Sequence, residues 1–176
     1  MSETNIEKVL TEFNDGDELE LRLGYYYNNH FKSSISYTRF NRILEFFRNE
    51  YNFIETYKEC IVYMYSNGIR KITDTKNNSV FIKKTKKEFL DIRDRNVRLA
   101  LNSERYIKEE DVFNKKFTPK SRKRYTFTNI ENTVKIDMSI DIINNNTFQN
   151  QCEIEFITKP TLDTVNFYIN KLNEII

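Results

Sequence analysis

From Asp17 onward, apolar and charged residues take turns along the chain, and this alternation leaves few folds open to it. In Asp17-Glu18-Leu19-Glu20-Leu21-Arg22-Leu23 every leucine follows a charged side chain. Successive side chains of a β-strand point to opposite faces, so this segment predicts a strand with one charged and one apolar face. The same period returns near 55–65, 68–74, 79–86, 96–104, 121–128, 133–142 and 151–158, which with the first makes eight strands. Helical spacing interrupts it three times. Residues 3–13 set Ile6, Val9, Leu10 and Phe13 on one face and close at Asn14-Asp15-Gly16, while 38–51 do the same with Phe40, Ile43, Leu44 and Phe47, Thr38 being the predicted cap. A closing helix is predicted after Pro160. Tyr65-Ser66-Asn67-Gly68 carries the Asn-Gly signal of a tight hairpin, Ile130 to Thr133 predicts another turn, and 107–119 predicts the longest loop.

Eight antiparallel strands with a few flanking helices predict a mainly β fold, a closed eight-stranded antiparallel β-barrel, because closure removes the edges that so many strands otherwise expose. An open β-sandwich is the alternative. With no repeats or linkers, residues 1–176 read as one domain. Net charge is only +2, from 28 basic and 26 acidic residues, so any phosphate-handling function needs its charge segregated in space. Cys60 and Cys152 lie far apart without metal-type spacing, which predicts two thiols in a reducing compartment. No apolar run is long enough to span a bilayer, and the expectation is a soluble intracellular protein without a membrane partner.

The charged faces carry the functional signal. Glu18-Leu19-Glu20 and Glu153-Ile154-Glu155 each put two carboxylates on one face near opposite ends of the chain. Lys120, Arg122 and Arg124 put three cations on one face of another strand, and Lys135-Ile136-Asp137-Met138-Ser139-Ile140-Asp141 again separates polar from apolar. A sheet that uses charge only for solubility mixes its signs locally, whereas here acids and bases are grouped on different strands. An inside-out barrel accounts for this: polar faces line a hydrated tunnel and apolar faces pack outward. Four carboxylates sharing a tunnel require a cation, and oxygen donors without His or Cys select Mg²⁺ or Mn²⁺. Arg and Lys opposite complement a polyphosphate. The bland reading of each strand, a half-buried sheet with its charges in water, stands beside this one.

Glu18-Leu19-Glu20-Leu21-Arg22-Leu23-Gly24 together with Glu153-Ile154-Glu155 resembles the two glutamate-rich signatures of the triphosphate tunnel metalloenzymes. It is most similar to the fungal, protozoan and viral RNA 5′-triphosphatases, the β-subunit type of mRNA-capping enzyme. The resemblance implies an eight-stranded tunnel, Mg²⁺ or Mn²⁺ as cofactor, and hydrolysis of the γ-phosphate from nascent mRNA. It implies that Glu18, Glu20 and Glu155 hold the metal, that Glu153 is the companion glutamate of the last strand, and that Glu104 activates the attacking water. Arg70, Lys84, Lys120, Arg122 and Arg124 are implied triphosphate ligands, with Arg22, Asp137 and Ser139 beside them. Lys84 shares parity with Val80 and Ile82, so its inward direction rests on the resemblance alone, and Lys83 competes with it.

The resemblance further implies a guanylyltransferase in trans and admits a homodimer. It places the protein in the nucleus of a cellular eukaryote, or in a cytoplasmic factory or virion if viral. Two other functions stand beside this one: a tunnel phosphatase for inorganic triphosphate, polyphosphate or nucleoside triphosphates, and a non-catalytic scaffold that binds polyphosphate or RNA. His30 reads as a surface residue. Tyr25-Tyr26-Tyr27 reads as packing against the 38–51 helix, with RNA stacking as its functional alternative.

Overall fold

The computed structural model describes residues 3–112, 117–143 and 147–175. Three helices, α1 (Glu3–Thr11), α2 (Tyr37–Asn49) and α3 (Leu162–Glu174), accompany ten strands. The strands are β1 (Asp17–Leu23), β2 (Tyr25–Tyr27), β3 (His30–Lys32), β4 (Phe53–Tyr65), β5 (Ile69–Asp74), β6 (Ser79–Ile92), β7 (Val97–Ile107), β8 (Phe117–Asn129), β9 (Val134–Ile143) and β10 (Thr147–Phe156). Eight of them close into an antiparallel barrel in the order β1-β10-β9-β8-β4-β5-β6-β7, and β2 and β3 form a separate hairpin. The closed barrel is the predicted architecture.

Local chemistry explains the elements. Between β4 and β5, Asn67 and Gly68 have φ of 66° and 74°, the left-handed pair that an Asn-Gly turn supplies at low cost. The α2 helix begins one residue before the predicted cap: Ser36, not Thr38, accepts the Arg39 amide at 3.2 Å. The β2–β3 hairpin was not predicted, and it places His30 in a strand, exposed as expected. Tyr26 packs there on Phe31 (centroids 5.4 Å apart) and donates to the Val97 carbonyl at 3.4 Å. The Tyr26 ring thus packs within the hairpin, where the sequence pointed to α2. Gly24 allows this turn, because a Cβ there would lie 2.1 Å from the Lys32 carbonyl.

The hydrophobic core lies outside the barrel. Leu19, Leu21 and Leu23 of β1, Leu99 and Leu101 of β7, Ile136 and Met138 of β9, and Ile154 and Phe156 of β10 belong to one buried cluster. The same cluster takes Ile6 and Val9 from α1, Phe40, Ile43 and Phe47 from α2, and Val165, Ile169 and Leu172 from α3. Each such side chain contributes about 1.5–3 kcal/mol on burial, so stability comes from this shell and the interior is free to hold charge. Register then fixes which residues face inward, since cross-strand partners share a face. Glu20 pairs with Glu155 and Arg22 with Glu153; Glu18 pairs with Asn102 across β7. Around the rest of the wall, Glu153 pairs with Asp137, Arg124 with Ser139, and Arg122 with both Asp141 and Cys60.

Among the described residues, no helix is long and apolar enough to cross a membrane.

Candidate active site

The charged side chains meet one another across the lumen. The Lys84 ammonium of β6 reaches over β7 to pair with Glu18, with Glu20 at 3.0 Å and with Glu104 at 3.5 Å. This settles the competition with Lys83, which shares the outer face with Ile69 and Arg105. Glu20 is more enclosed than Glu18, Glu104, Glu153 or Glu155, its side chain only 2% exposed. It pairs with Arg22 and accepts from the Asn102 amide at 2.9 Å. Arg22 also approaches Glu153, Nε to Oε1, at 3.3 Å. Glu155 pairs with Lys135, which lies 3.7 Å from Asp137.

The basic strand β8 faces a second set of partners. Arg122 grips Asp141 bidentately, at 2.6 and 2.8 Å, while Lys120 pairs with the same carboxylate. Arg124 contacts the Ser139 hydroxyl and the Asp137 carboxylate, both at 3.2 Å, and Thr126 donates to Asp137 at 2.6 Å. Arg70 differs from all of these. Among the described residues it makes no ion pair or side-chain hydrogen bond, and its Nε is buried without a partner. It lines a small enclosed cavity of about 80 Å³ together with Arg22, Lys120, Arg122, Gln151 and Glu153. Four cations against one carboxylate make that cavity an anion site, with room for a phosphoryl group.

Proton affinities carry the same polarity. Burial and then the neighbouring carboxylates outweigh the cations at Glu18 and Glu20, and both titrate above the ordinary glutamate range. Lys84 is held up despite its burial by Glu20 and Glu18, so it stays an ammonium. Against burial, Arg22 and Lys84 hold the Glu153 carboxyl down, and Arg122 and Lys120 hold Asp141 down. Burial, followed by Arg122, depresses Lys120. The acidic end of the lumen is short of positive charge and the basic end is short of negative charge.

These features bear on a metal. Glu18, Glu20 and Glu155 project from neighbouring strands with oxygen donors only, the donor set of a hard divalent cation, and the raised proton affinity of two of them marks an unmet demand for positive charge. The donor chemistry therefore fits Mg²⁺ or Mn²⁺. Among the described residues no three acidic, His or Cys groups already converge as a preformed ligand set, and the Lys84 ammonium holds the space beside Glu18 and Glu20.

All thirteen residues singled out from the sequence face this one lumen. Asp141, Lys135 and Asn102 are among the further lumen-facing residues that hold these in place. Asp141 is fully buried between Lys120 and Arg122, Lys135 pairs with Glu155, and Asn102 tethers Glu20. The parity of Lys135, Asp137, Ser139 and Asp141 along β9 was the signal available for the first two.

The fold has solved counterparts. The S. pombe RNA triphosphatase Pct1 superposes with a TM-score of 0.74 over 98% of this chain and 90% of its own, at 15% identity. Pct1 in complex with the Spt5 CTD gives 0.67 over 98% and 83%, also at 15% identity. The RNA triphosphatase domain of a trifunctional mimivirus mRNA capping enzyme gives 0.68 over 98% and 95%, again at 15%. No protein-family model matches the chain, and no curated protein matches it in sequence. The chain has the closed eight-stranded tunnel fold of these RNA triphosphatases.

Proposed function

We propose that this chain, over residues 1–176, is a metal-dependent triphosphate tunnel enzyme that removes the γ-phosphate from the 5′-triphosphate end of RNA. One observation carries the reading: Glu18 and Glu20, held above the ordinary glutamate range, and a cation-lined cavity holding the unpartnered Arg70 share one lumen. Lys84 and Arg22 do not offset the demand of the first for positive charge, the second sets four cations against Glu153, and a metal–triphosphate complex answers both. The likeness to Pct1 and the mimivirus domain supports the choice of RNA as substrate.

In this reading Glu18, Glu20 and Glu155 hold Mg²⁺ or Mn²⁺. When bound, the ion supplies Lewis-acid stabilisation of charge on the transferring phosphoryl group. Arg70, Lys120 and Arg122 converge on the γ-phosphate, with Arg70 supplying donors committed to nothing else. Arg124, oriented by Ser139 and Asp137, contacts the next phosphate toward the RNA. Lys84 gives up its contacts with Glu18 and Glu20 and turns to the γ-phosphate. Arg22 keeps Glu20 and Glu153 apart and aimed into the lumen. Glu104 accepts a proton from the attacking water as its oxygen bonds to the γ-phosphorus. The bridge from the β-phosphate oxygen breaks, leaving inorganic phosphate and a diphosphate-ended RNA. A guanylyltransferase in trans is the natural consumer of that product. Pct1 occurs in complex with the Spt5 CTD, which supports protein partners for this fold. The chain then works in a nucleus or, in a viral host setting, in the cytoplasm or virion, and as a monomer or a homodimer.

Phosphate release from γ-labelled triphosphate RNA, with and without Mn²⁺, tests the proposal against inorganic tripolyphosphate as a second substrate. Metal-dependent release from RNA is expected. Turnover of tripolyphosphate with inert RNA would reject the RNA assignment. Glu20→Ala and Glu155→Ala should each lose more than the ~10–100-fold typical of outer-shell changes at a metal site. Undiminished release would reject the assignment of these glutamates to the metal, and no release from the unaltered chain would leave a binding scaffold as the function.

A further inference from the structure

The lumen is not polar all round. On β4, β5 and β6, Val62, Ile72 and Val80 share the inward face with the catalytic groups, as their register shows: Val62 pairs with Ile72 and Ile72 with Val80. They line a cavity of about 730 Å³ together with Arg122 and Arg124 of the neighbouring β8, and with Lys58, Asp74 and Lys76. Val62 and Arg122 line both this cavity and the 80 Å³ anion site, so the two spaces adjoin. Arg70 and Ile72 stand two residues apart on β5, about 7 Å along the strand. A polyphosphate whose far end rests on Arg70 therefore brings its other end beside Ile72 and Val80.

An aliphatic strip has nothing to offer a polyphosphate. The wall beside it also has an open backbone edge. The β4 strand pairs with β8 from Phe53 to Tyr65 but with β5 only from Cys60 to Met64. Among the described residues no strand therefore pairs with the other edge of 54–59, and Tyr57, Lys58 and Glu59 of that stretch line the cavity. Apolar side chains for one face of a flat ring, backbone donors and acceptors for its rim, and the Arg124 guanidinium for the phosphates that lead to it suit one chemical class. We infer that this cavity is the subsite for the terminal nucleoside of a 5′-triphosphate, with Val62, Ile72 and Val80 against the base and sugar. The inference rests on the triphosphatase reading and names the part of the substrate that lies beyond the phosphates. Free nucleoside triphosphate and the first nucleoside of an RNA share that chemistry.

Val80 is 43% exposed in the lumen, so changes there are compatible with folding. Val80→Trp fills the cavity and Val80→Ser removes its apolar contact. Equilibrium binding and KM should be measured for ATP, a triphosphate-ended oligoribonucleotide and inorganic tripolyphosphate. Both variants should raise Kd and KM for the nucleoside-bearing ligands relative to tripolyphosphate by about tenfold, which corresponds to about 1.4 kcal/mol. An effect on both ATP and RNA assigns the subsite to the terminal nucleoside, and an effect on ATP alone assigns it to free nucleotide. Equal effects on all three ligands, or none on any, overturn the subsite while leaving the phosphatase reading in place. Selective weakening of nucleotide binding in a chain that hydrolyses nothing does the reverse. No nucleotide binding by the unaltered chain overturns both.

Discussion

Glu20 is buried among groups of both signs, and the balance goes against its charge: burial and then Glu153 raise its proton affinity further than Arg22 and Lys84 lower it. A carboxyl whose folded pKa lies above the unfolded value of about 4.3 stabilises the fold fully below that pH. That contribution is lost as pH rises through the raised folded value. At neutral pH the ionised Glu20 therefore costs stability, and Glu20→Gln should melt higher, each kcal/mol relieved being worth about 2–4 °C for a chain of this size. The gain should fade as pH falls toward about 4, while metal-dependent hydrolysis stays abolished at every pH; thermal melts across pH check it. The raised values at Glu18 and Glu20 also place the acid limb of the pH–rate profile above the ordinary glutamate range, since a metal must displace those protons. At Arg70 the fork matters as well as the charge, so Arg70→Lys should raise KM for triphosphate RNA by about tenfold. Much of this site was legible as sequence, because two Glu-x-Glu pairs and the Lys120, Arg122, Arg124 row each obey period two. Lys84 was not, since its parity partners Val80 and Ile82 are aliphatic, and the lumen wall at that point is itself apolar.

Among the elements, β6 shows best why alternation alone does not give the whole barrel. Its pairing with β7 shifts between Lys86 and Glu88, so Lys87 is an extra residue. Before it the even positions face the lumen, as Lys84 does opposite Glu104; after it the odd ones do, as Asp91 does opposite Arg98. The sequence predicted a strand ending at 86, where the period breaks, whereas β6 runs on to Ile92. Deleting Lys87 would leave Glu88 opposite Leu101 and Phe89 opposite Ala100 in unbroken alternation, whereas inserting a second residue beside it would turn one half of the strand inside out. The deletion should keep cooperative unfolding and the far-UV circular dichroism of the barrel, and the insertion should lose both. Lys87→Ala keeps the bulge and loses only a half-exposed pair with Asp17, so it should cost no more than about 1 kcal/mol. The β2–β3 hairpin escaped notice for a simpler reason: three-residue strands, Tyr25–Tyr27 and His30–Lys32, are too short to display a period. Ser36 as the α2 cap was obscured because Thr38 offers the same chemistry two residues later.

At the scale of the molecule, stability and function occupy opposite faces of the same strands. Leu21 and Ile154 are fully buried in the outer shell while their neighbours Glu20 and Glu153 face the lumen. Leu21→Ala or Ile154→Ala should therefore cost about 2–5 kcal/mol in denaturant melts without altering the site chemistry of the molecules that remain folded. The closed barrel was legible because eight alternating segments with unmixed charge admit few other arrangements. The eccentric placement of the helices was not, because amphipathic spacing says which face is buried and not which strands bury it. The helices share one buried cluster with β1, β7, β9 and β10, while α1 also meets β6 and α2 reaches Phe53 of β4 and Phe127 of β8 through Phe47. Across the barrel, Tyr57 and Ile61 of β4 stand 47% and 41% exposed. There a lone ladder of hydrogen bonds separates the nucleoside cavity from bulk solvent. Such a membrane-thin partition yields before the buttressed side does, so amides of Ile69–Asp74 should trade hydrogen for deuterium sooner than those of Asp17–Leu23. An occupant of the cavity would brace it from within, slowing that trade on the unsupported flank and leaving the other flank's rate as it was.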